Sequence, residues 1–449
     1  MKLFKKILIA NRGEIAVRII RACHELGIET AVVYSDIDKN TLPVRLADEA
    51  ICIGPAPAGQ SYLNIPAVIS AAEITDAEAI HPGYGFLAEN PQFVEACTAS
   101  QITFIGPSAE NIRVGGDKSK ARRLVKKKGI PVVPGSETPA VNEDAAIKIS
   151  KKIGFPVIFK ATAGGGGKGM RIVQSEKDLT KMYHMAQKEA FAAFGNGDLY
   201  IEKYIPHMRH IEVQILADNE GDMIHLGERE CSIQRRHQKL LEEAPFIFGD
   251  SKFRKKVGDL AIKAAKAFKY RNAGTIEFIL DKDGQIFFME INTRIQVEHP
   301  VTEMITGVDL IKEQIKIATG QPLSLKQQDI KFSGHSIECR VNAEDPERFI
   351  PSPGTVALFV PPGGHGVRTD TAAYSGWTVP AHYDSLIAKL IVHGKDRNEA
   401  IIKMQRALGE FIIDGINSTI PYFQRILHDP EFLNGNINTH FLERENSTK

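Results

Sequence analysis

The sequence predicts a multidomain protein of the α/β and α+β classes, with a doubly wound parallel sheet in its N-terminal part. Three observations support this prediction. A strand, an amphipathic helix and a second strand follow one another at the start of the chain, as in helix-covered parallel sheets. Strand-like segments dominate from about Tyr204 onward, as in an α+β domain. The length of 449 residues also exceeds what a single compact core usually supports.

The N-terminal domain is predicted from strands and helices that alternate. Residues 6–10 form a buried strand in this prediction, and apolar residues at helical spacing over 14–26 form a helix that Gly27 ends. Residues 30–34 are predicted as the second strand. Further strands are predicted at 50–53, 79–80 and 103–105. The doubly wound domain therefore extends to about Asn111.

Beyond Lys118 the pattern changes to a small α+β unit and then to a strand-rich region. A helix over 120–128 ends at Gly-Ile-Pro, and strands at 157–160 and 171–173 flank a glycine-rich loop. Later strands are predicted at 211–216, 223–226, 275–280 and 285–291. The Pro- and Gly-rich segment 350–366 is typical of loops, here within a C-terminal α+β domain.

The composition excludes several classes of protein. Charged residues make up 25% of the chain and hydrophobic residues 43%, as in ordinary globular proteins. The formal net charge of +1 argues against a dedicated binder of nucleic acids or membrane surfaces. The five cysteines are far apart, which favours neither a disulfide framework nor a zinc site. Because no apolar run approaches the roughly 18 residues of a membrane span, we predict a cytoplasmic protein without membrane or nucleic-acid partners.

The first specific functional signal is a run of four glycines, 164–167, bracketed by Lys160 and Lys168. Consecutive glycines let the backbone approach a polyanion, and two lysines can neutralise phosphate charge. A Walker A loop would continue with Ser or Thr and then a helix, whereas Gly169 follows here and the chain returns to a strand. The pattern predicts a mobile lid over a nucleotide. The alternative is a flexible hairpin tip.

The second signal is a predicted hairpin with an Asp-Gly turn and acidic residues. If Leu280 faces Gln285, three polar side chains project from one face, with the two carboxylates as diagonal neighbours. These are Glu277, Glu290 and Asn292. Two carboxylates and one amide suit Mg²⁺ or Mn²⁺ between nucleotide phosphates. The alternative is the solvated face of an edge strand, and a turn different by one residue would reverse the predicted face.

The residues after the hairpin add a cation and a further carboxylate. If the chain remains extended, Arg294, Gln296 and Glu298 share a face. An arginine beside a glutamate next to a metal site can hold a small anion and remove a proton from it. The alternative is a surface salt bridge.

These residues resemble the signature of the biotin carboxylases, members of the ATP-grasp superfamily. The resemblance is most specific over 290–303 and covers the chain from Ile7 to about Leu442. Further matches are IANRGEIA at 9–16, HPGYGFL at 81–87, the glycine loop, and RRHQK at 235–239. The resemblance implies an N-terminal domain at 1–115, an ATP-grasp domain at 116–330 with a lid at about 132–203, and a C-terminal domain at 331–446.

The resemblance also implies roles for individual residues. The implied ATP contacts are Lys118, Lys160, Gly166, Gly167, Glu202, Lys203, Tyr204, Ile205, His210, Gln234, His237, Glu277 and Glu290. The implied ligands of two Mg²⁺ or Mn²⁺ ions are Glu277, Glu290 and Asn292. The implied bicarbonate contacts are Lys239, Arg294, Gln296 and Val297, and the implied biotin contacts are Arg340 and Tyr84. Catalytic roles fall to Lys239, Arg294, Arg340 and Glu298, with Glu298 as the base.

The activity that the resemblance implies is ATP- and bicarbonate-dependent carboxylation of biotin through carboxyphosphate, the first half-reaction of acetyl-CoA carboxylase in fatty acid synthesis. The chain has no Ala-Met-Lys-Met biotinylation string, so we expect a separate biotin carboxyl carrier protein and carboxyltransferase subunits. The resemblance also implies a homodimer. The alternatives are a carboxylase subunit for propionyl-CoA or pyruvate, and another ATP-grasp ligase. The non-enzymatic alternative is an RNA-binding or regulatory nucleotide sensor, which only the charge run at 235–239 supports.

Overall fold

The structure is a computed structural model that describes residues 3–136, 138–162, 170–236 and 238–443. Its first part contains β1 (Lys6–Ile9), α1 (Gly13–Glu25), β2 (Glu29–Tyr34), α2 (Leu42–Leu46), β3 (Glu49–Cys52), α3 (Ile65–Ile74), β4 (Ala79–His81), α4 (Pro91–Ala99), β5 (Thr103–Phe104) and α5 (Ala109–Gly116). The strands pair in parallel in the order β3-β2-β1-β4-β5, with a buried apolar layer on each face. The predicted doubly wound domain is confirmed.

The turn from β1 into α1 needs a glycine. Gly13 has φ of +67°, a conformation in which a Cβ would be strained. It places the helix so that Ile15 and Ile19 pack against the sheet. Apolar spacing in the sequence thus accounts for both the helix and the face it buries.

The next elements form a small separate layer, the lid subdomain. They are α7 (Glu143–Ile153), β6 (Val157–Ala161), β7 (Met170–Val173), α8 (Glu176–Phe194) and β8 (Leu199–Lys203). The helix before them, α6 (Lys118–Lys127), packs against α5, α9 and β13 instead. The strands are antiparallel in the order β7-β6-β8. Along β6, buried Val157 and Phe159 alternate with Ile158 and Lys160, which line a large cleft. The predicted glycine lid at 163–169 lies outside the described residues.

The rest of the chain builds a long antiparallel sheet and its covering helices. They are β9 (Arg209–Ala217), β10 (Met223–Arg235), β11 (Gln238–Ala244), α9 (Ser251–Phe268), β12 (Asn272–Leu280), β13 (Ile286–Asn292), α10 (His299–Thr306), α11 (Leu310–Ala318), β14 (His335–Asn342), β15 (Gly354–Thr355), β16 (Leu358–Val360), β17 (Val367–Thr371), β18 (Thr378–Val379), β19 (Leu386–Gly394), α12 (Arg397–Glu410), β20 (Ile412–Asp414), α13 (Ile420–Ile426) and α14 (Pro430–Leu433). Two short strand pairs, β15–β18 and β16–β20, lie beside it.

The long sheet has the order β13-β12-β9-β10-β11-β14-β19-β17. Its β11–β14 ladder, with Leu241 opposite Cys339, connects the middle and C-terminal parts of the chain. The sheet is therefore continuous across residue 330, where the sequence analysis places a domain boundary. Among the helices within the described ranges, none has the length and apolar character that crossing a membrane requires.

Arg229 is a buried cation at the centre of this sheet, with 0% of its surface exposed. Its Nε donates to Glu212 at 2.6 Å, and its Nη1 donates to Gln214 and to Thr302 at 2.9 Å. Its Nη2 donates to Thr275 at 3.2 Å. A buried charge is tolerated only when it is paired and hydrogen-bonded. Arg229 meets both conditions and ties β9, β12 and α10 to β10.

Candidate active site

A cleft of about 2880 Å³ lies between the N-terminal domain, the lid subdomain and the long sheet. Most predicted site residues line this cleft. They are Tyr84, Lys118, Lys160, Glu202, Lys203, Tyr204, Ile205, His210, Gln234, Lys239, Glu277, Glu290, Asn292, Arg294, Gln296, Val297 and Arg340. Glu298 lies behind this lining, where it contacts Lys239 and Arg340. His237, Gly166 and Gly167 lie outside the described residues.

The predicted register of the acidic hairpin is wrong at its turn. Leu280 pairs with Ile286 instead of Gln285, so the turn holds one more residue than the sequence analysis assumes. Asp281 Oδ1 accepts the backbone N–H of Gln285 at 2.8 Å, which closes this longer turn. By itself, the shift would place Glu277 and the acidic part of β13 on opposite faces.

A β-bulge restores the predicted arrangement. The register shifts by one residue between Glu277 and Phe278, and Met289 is the extra residue of the bulge. As a result Glu277 lies directly opposite Glu290, where a diagonal arrangement was predicted. Asn292 reaches the same group, since its Nδ2 donates to Glu277 Oε1 at 2.7 Å. The three side chains share a face because two shifts cancel.

Glu277 is the most heavily contacted carboxylate of the hairpin. Its Oε1 accepts from Lys239 Nζ at 2.8 Å and from Gln296 Nε2 at 3.1 Å. Its Oε2 lies 3.0 Å from His210 Nε2. Burial would raise the pKa of Glu277, but the contacts with Lys239 and His210 outweigh burial and hold the pKa well below its usual range. Glu277 is therefore an anion in the folded protein.

Lys239 connects the hairpin to the second acidic group. Its Nζ lies 2.8 Å from Glu277 Oε1 and 2.8 Å from Glu298 Oε1, and it also pairs with Glu212. Burial lowers the pKa of Lys239, yet the surrounding carboxylates raise it well above its usual value. The sequence analysis missed Glu212. The signal that was present is its strand parity with His210, which puts both side chains on the same face of β9.

The segment from Arg294 to Glu298 is not the extended strand that was assumed. Glu298 instead forms the N-cap of α10. Arg294 and Gln296 still meet, since Arg294 Nη1 donates to Gln296 Oε1 at 2.8 Å, and both line the cleft. Arg294 Nε also donates to Glu89 at 2.9 Å. The three side chains therefore do not share one face of a strand. The chain bends, so that Arg294 and Gln296 line the cleft and Glu298 lies behind this lining.

Glu298 is fully buried between two cations. Its Oε1 accepts from Lys239, and its Oε2 accepts from Arg340 Nη2 at 2.9 Å. Burial would raise the pKa of Glu298, but Lys239, Arg340 and Arg229 hold it well below its usual range. An ionised carboxylate at neutral pH is what proton acceptance requires.

Helix α6 and strand β6 bring further cations to the cleft. Lys118 Nζ lies 2.8 Å from Glu290, and Lys160 Nζ donates to Glu202 at 2.6 Å. Arg122, which the sequence analysis missed, also pairs with Glu202 and lines the cleft. Burial, together with the charges of Arg122 and Lys118, lowers the pKa of Lys160 to about 8. The cleft thus places cations opposite the acidic hairpin.

Tyr84 reaches the cleft from the loop after β4. Its carbonyl oxygen accepts from Asn11 Nδ2 at 2.7 Å, and its hydroxyl donates to Glu14. Glu14 in turn lies 3.1 Å from Lys389 Nζ. The N-terminal domain is thereby anchored to β19 of the long sheet directly beneath the cleft.

Family models match most of the chain. The model described as the biotin carboxylase N-terminal domain matches residues 3–112, and the biotin carboxylase C-terminal domain matches 338–444. The ATP-binding domain of the carbamoyl-phosphate synthase L chain matches 117–326.

Similar proteins match over nearly their whole length. Biotin carboxylase 1 of Bacillus subtilis (strain 168) is 58% identical over 443 residues, which are 98% of each chain. A biotin carboxylase–βγ-ATP complex from Campylobacter jejuni has a TM-score of 0.95 at 52% identity, covering 98% of this chain and 99% of that one.

A second solved structure is the biotin carboxylase domain dimer of the Hydrogenobacter thermophilus 2-oxoglutarate carboxylase, in complex with MgADP, ADP and bicarbonate. Its TM-score is 0.94 at 50% identity, covering 99% of this chain and 98% of that one. With this fold, this cleft and these matches over the whole chain, the protein belongs to the biotin carboxylase family.

Proposed function

We propose that this protein uses ATP and bicarbonate to carboxylate the biotin of a biotin carboxyl carrier protein, as the first half-reaction of acetyl-CoA carboxylase. One observation carries the proposal. Lys239 contacts Glu277 on the acidic hairpin and Glu298 beside Arg340, at 2.8 Å in both cases. A single cation therefore links a group suited to metal and phosphate with a group suited to a small anion and a proton. Bicarbonate phosphorylation needs these two groups side by side.

The donor set of the hairpin fits a hard divalent cation. Glu277 and Glu290 are directly opposed carboxylates, and Asn292 adds an amide to the same face. These residues would hold Mg²⁺ or Mn²⁺, which supplies neutralisation of the charge on the transferred phosphoryl group. Lys118 on α6 and Lys160 on β6 provide positive charge at the cleft at neutral pH.

The remaining residues act on bicarbonate and biotin in this proposal. Arg294, Gln296 and Val297 hold bicarbonate, and Glu298 accepts its proton as a bicarbonate oxygen attacks the γ-phosphorus. An O–P bond forms and ADP leaves, which yields carboxyphosphate. Carboxyphosphate decomposes to phosphate and CO₂ next to biotin. Phosphate takes the N1′ proton, and N1′ attacks CO₂ to form the N–C bond of carboxybiotin. Arg340 stabilises the negative charge on the ureido oxygen.

The assay that tests the function measures ADP release with ATP, Mg²⁺ and bicarbonate, with and without free biotin. We expect turnover that requires bicarbonate and rises with biotin, together with formation of carboxybiotin. ATP hydrolysis that depends on neither bicarbonate nor biotin would reject the proposed carboxylase activity and favour another ligase of this fold. Adding candidate acyl-CoA substrates with a co-purified carboxyltransferase would then identify the final acceptor, which the carboxyltransferase determines.

Replacing Glu290 with Gln is expected to weaken Mg²⁺-dependent ADP binding at least about 10-fold, because loss even of outer partners of a metal ligand typically costs 10–100-fold in affinity. Glu290→Gln keeps the size of the side chain and removes only the charge opposite Glu277. Calorimetric titration with ADP, with and without Mg²⁺, measures the effect. Asp283→Asn, which removes a charge at an exposed position in the turn of the same hairpin, serves as the control. Equal Mg²⁺ dependence in both variants would remove Glu290 from the metal site.

Nucleotide affinity is expected to fall as the pH rises through the pKa of Lys160, which is about 8. The sign follows from the lowered pKa: Lys160 is charged below this value and neutral above it. If only the charged form binds phosphate, affinity for ATP falls about 10-fold between pH 7 and pH 9. Lys160→Arg stays charged throughout and should flatten the profile. An unchanged profile in Lys160→Arg would assign the pH dependence to another group.

We also propose a cytoplasmic homodimer that acts with carboxyltransferase subunits and a separate carrier protein. A dimeric biotin carboxylase domain among the similar solved structures supports the dimer. The name of the similar Bacillus subtilis protein, biotin carboxylase 1, supports a biotin-bearing partner. Light scattering of the purified protein, and pull-down with a biotinylated carrier domain, test these two points.

A further inference from the structure

Two buried acidic side chains lie behind Arg340 and have no role in the function proposed above. Glu242 on β11 and Glu338 on β14 are directly opposed in the ladder that connects the middle and C-terminal parts of the chain. Both are 0% exposed. Directly opposed side chains in an antiparallel ladder have Cβ atoms roughly 4.5–5.5 Å apart. Two carboxylates at this separation, away from water, repel each other strongly when both are ionised.

The hydrogen bonds of the two acids differ. Glu242 Oε1 accepts from Arg340 Nε at 2.6 Å, so Glu242 has a cationic partner. Neither oxygen of Glu338 has a hydrogen-bond partner within the described part of the chain. The buried cation Lys389 acts on Glu338 electrostatically, but it donates to the Val297 carbonyl at 2.9 Å and pairs with Glu14 at 3.1 Å. An unpartnered buried anion is far more costly than an unpartnered neutral acid.

The groups around Glu338 also favour its neutral form. The charged and titratable groups that interact with Glu338 are Tyr84, Glu242, Glu298, Cys339, Arg340 and Lys389. Burial raises the pKa of Glu338 well above its usual value, and Glu242 adds to this against the opposing charges of Lys389 and Arg340. Burial also raises the pKa of Glu242, to about 7, although Arg340 opposes the shift.

The hydrogen bonds of the Arg340 guanidinium indicate how Glu242 and Glu338 affect its orientation. Its Nε bonds to Glu242 and its Nη2 to Glu298, while Nη1 bonds to none of the residues within the described ranges. Arg340 lines the cleft, so these two carboxylates leave Nη1 for a ligand. An ionised Glu338 would compete with Glu242 and Glu298 for the same guanidinium and draw it toward the interior.

We propose that Glu338 is a neutral carboxylic acid at neutral pH, and that its neutrality lets Glu242 act as a positioning residue that orients Arg340 toward biotin. This inference rests on the proposed role of Arg340 in binding the ureido oxygen. Biotin affinity then depends on two side chains that never touch biotin.

The test compares Glu242→Gln with Glu338→Gln. Glu242→Gln removes the charge that fixes Arg340, and we expect the KM for free biotin to rise about 10- to 100-fold, the range for loss of one charged hydrogen bond. The KM for ATP should not change. Glu338→Gln is neutral like the proposed native acid, so its KM for biotin at pH 7 should match that of the unchanged protein.

Thermal unfolding supplies a second readout that does not depend on catalysis. A carboxyl whose folded pKa is raised stabilises the fold fully below its unfolded pKa of about 4.3, and this stabilisation is lost as the pH rises toward the folded pKa. Between pH 5 and pH 9, the thermal unfolding midpoint of the unchanged protein should therefore fall relative to the midpoint of the Glu338→Gln variant. Equal midpoints at all pH values would overturn the neutral Glu338, even if Glu242→Gln does not fold.

Arg340→Met separates this inference from the function on which it rests. If Arg340→Met leaves the KM for biotin unchanged, the proposed role of Arg340 is wrong. If Arg340→Met raises the KM but Glu242→Gln does not, the role stands and the positioning by Glu242 is rejected. If Glu338→Gln raises the KM as much as Glu242→Gln does, Glu338 acts as an anion and the inference is also rejected.

Discussion

Replacing Glu298 with Gln is expected to lower the turnover number for biotin carboxylation by about 10²- to 10⁴-fold, the usual contribution of a general base. The side chain is buried, ionised and held by Lys239 and Arg340. An amide of the same shape cannot take the proton of bicarbonate. Nucleotide affinity should remain nearly unchanged, because Glu298 lies behind the lining of the cleft. Steady-state ADP release and calorimetric binding of ADP measure the two quantities separately.

A matched control for this variant is Glu228→Gln. Glu228 is also 0% exposed, but it bonds to Arg254 at 3.1 and 3.2 Å, away from the cleft. We expect this control to keep the turnover number of the unchanged protein, since it alters a buried glutamate without touching the site. If Glu298→Gln retained a similar turnover number, the base would have to be another group.

Replacing Arg229 with Met is expected to lower the free energy of unfolding by about 3–5 kcal/mol, as when one partner of a buried ion pair is removed. Methionine fills much of the volume but leaves Glu212 short of one cation. It also strands Gln214 Oε1, which now accepts from Arg229. The midpoint of thermal or denaturant unfolding, followed by circular dichroism, measures the loss.

The control for this prediction is Arg113→Met. Arg113 pairs with Glu95 on the surface, where both side chains are largely exposed to solvent. Loss of an exposed pair usually has little effect on stability, so the unfolding midpoint should hardly move. Equal losses in the two variants would show that the buried network around Arg229 does not hold the sheet together.

The elements of the fold could be predicted because their patterns are local. Apolar spacing marked α1, while a glycine loop and an Asp-Gly turn between strand-like segments marked β6 and both strands of the acidic hairpin. The site residues came from motif resemblance together with strand parity. The length of the turn at 281–285 and the bulge at Met289 were not predicted. The alternation of polar and apolar residues does not show whether a turn or a strand ladder contains one extra residue.

Strand pairings between distant parts of the chain could not be predicted from the sequence. Nothing local indicates that β11 pairs with β14, so neither the continuous sheet across residue 330 nor the opposition of Glu242 and Glu338 could be foreseen. The sequence analysis missed Glu212 for the same reason, since its importance comes from its ion pairs with Arg229 on β10 and Lys239 on β11. The role of a buried charged side chain depends on partners that are distant in the chain.

The bulge at Met289 also bears on how the hairpin can vary in length. Phe278 pairs with Phe288 below the bulge, and both rings are buried, so the register there is held by the core. The acidic face lies on the far side of the bulge from the turn at 281–285. Insertions or deletions in that exposed turn can therefore be absorbed at the hairpin tip without rotating Glu290 away from Glu277. The same change placed at Met289 would invert the acidic face.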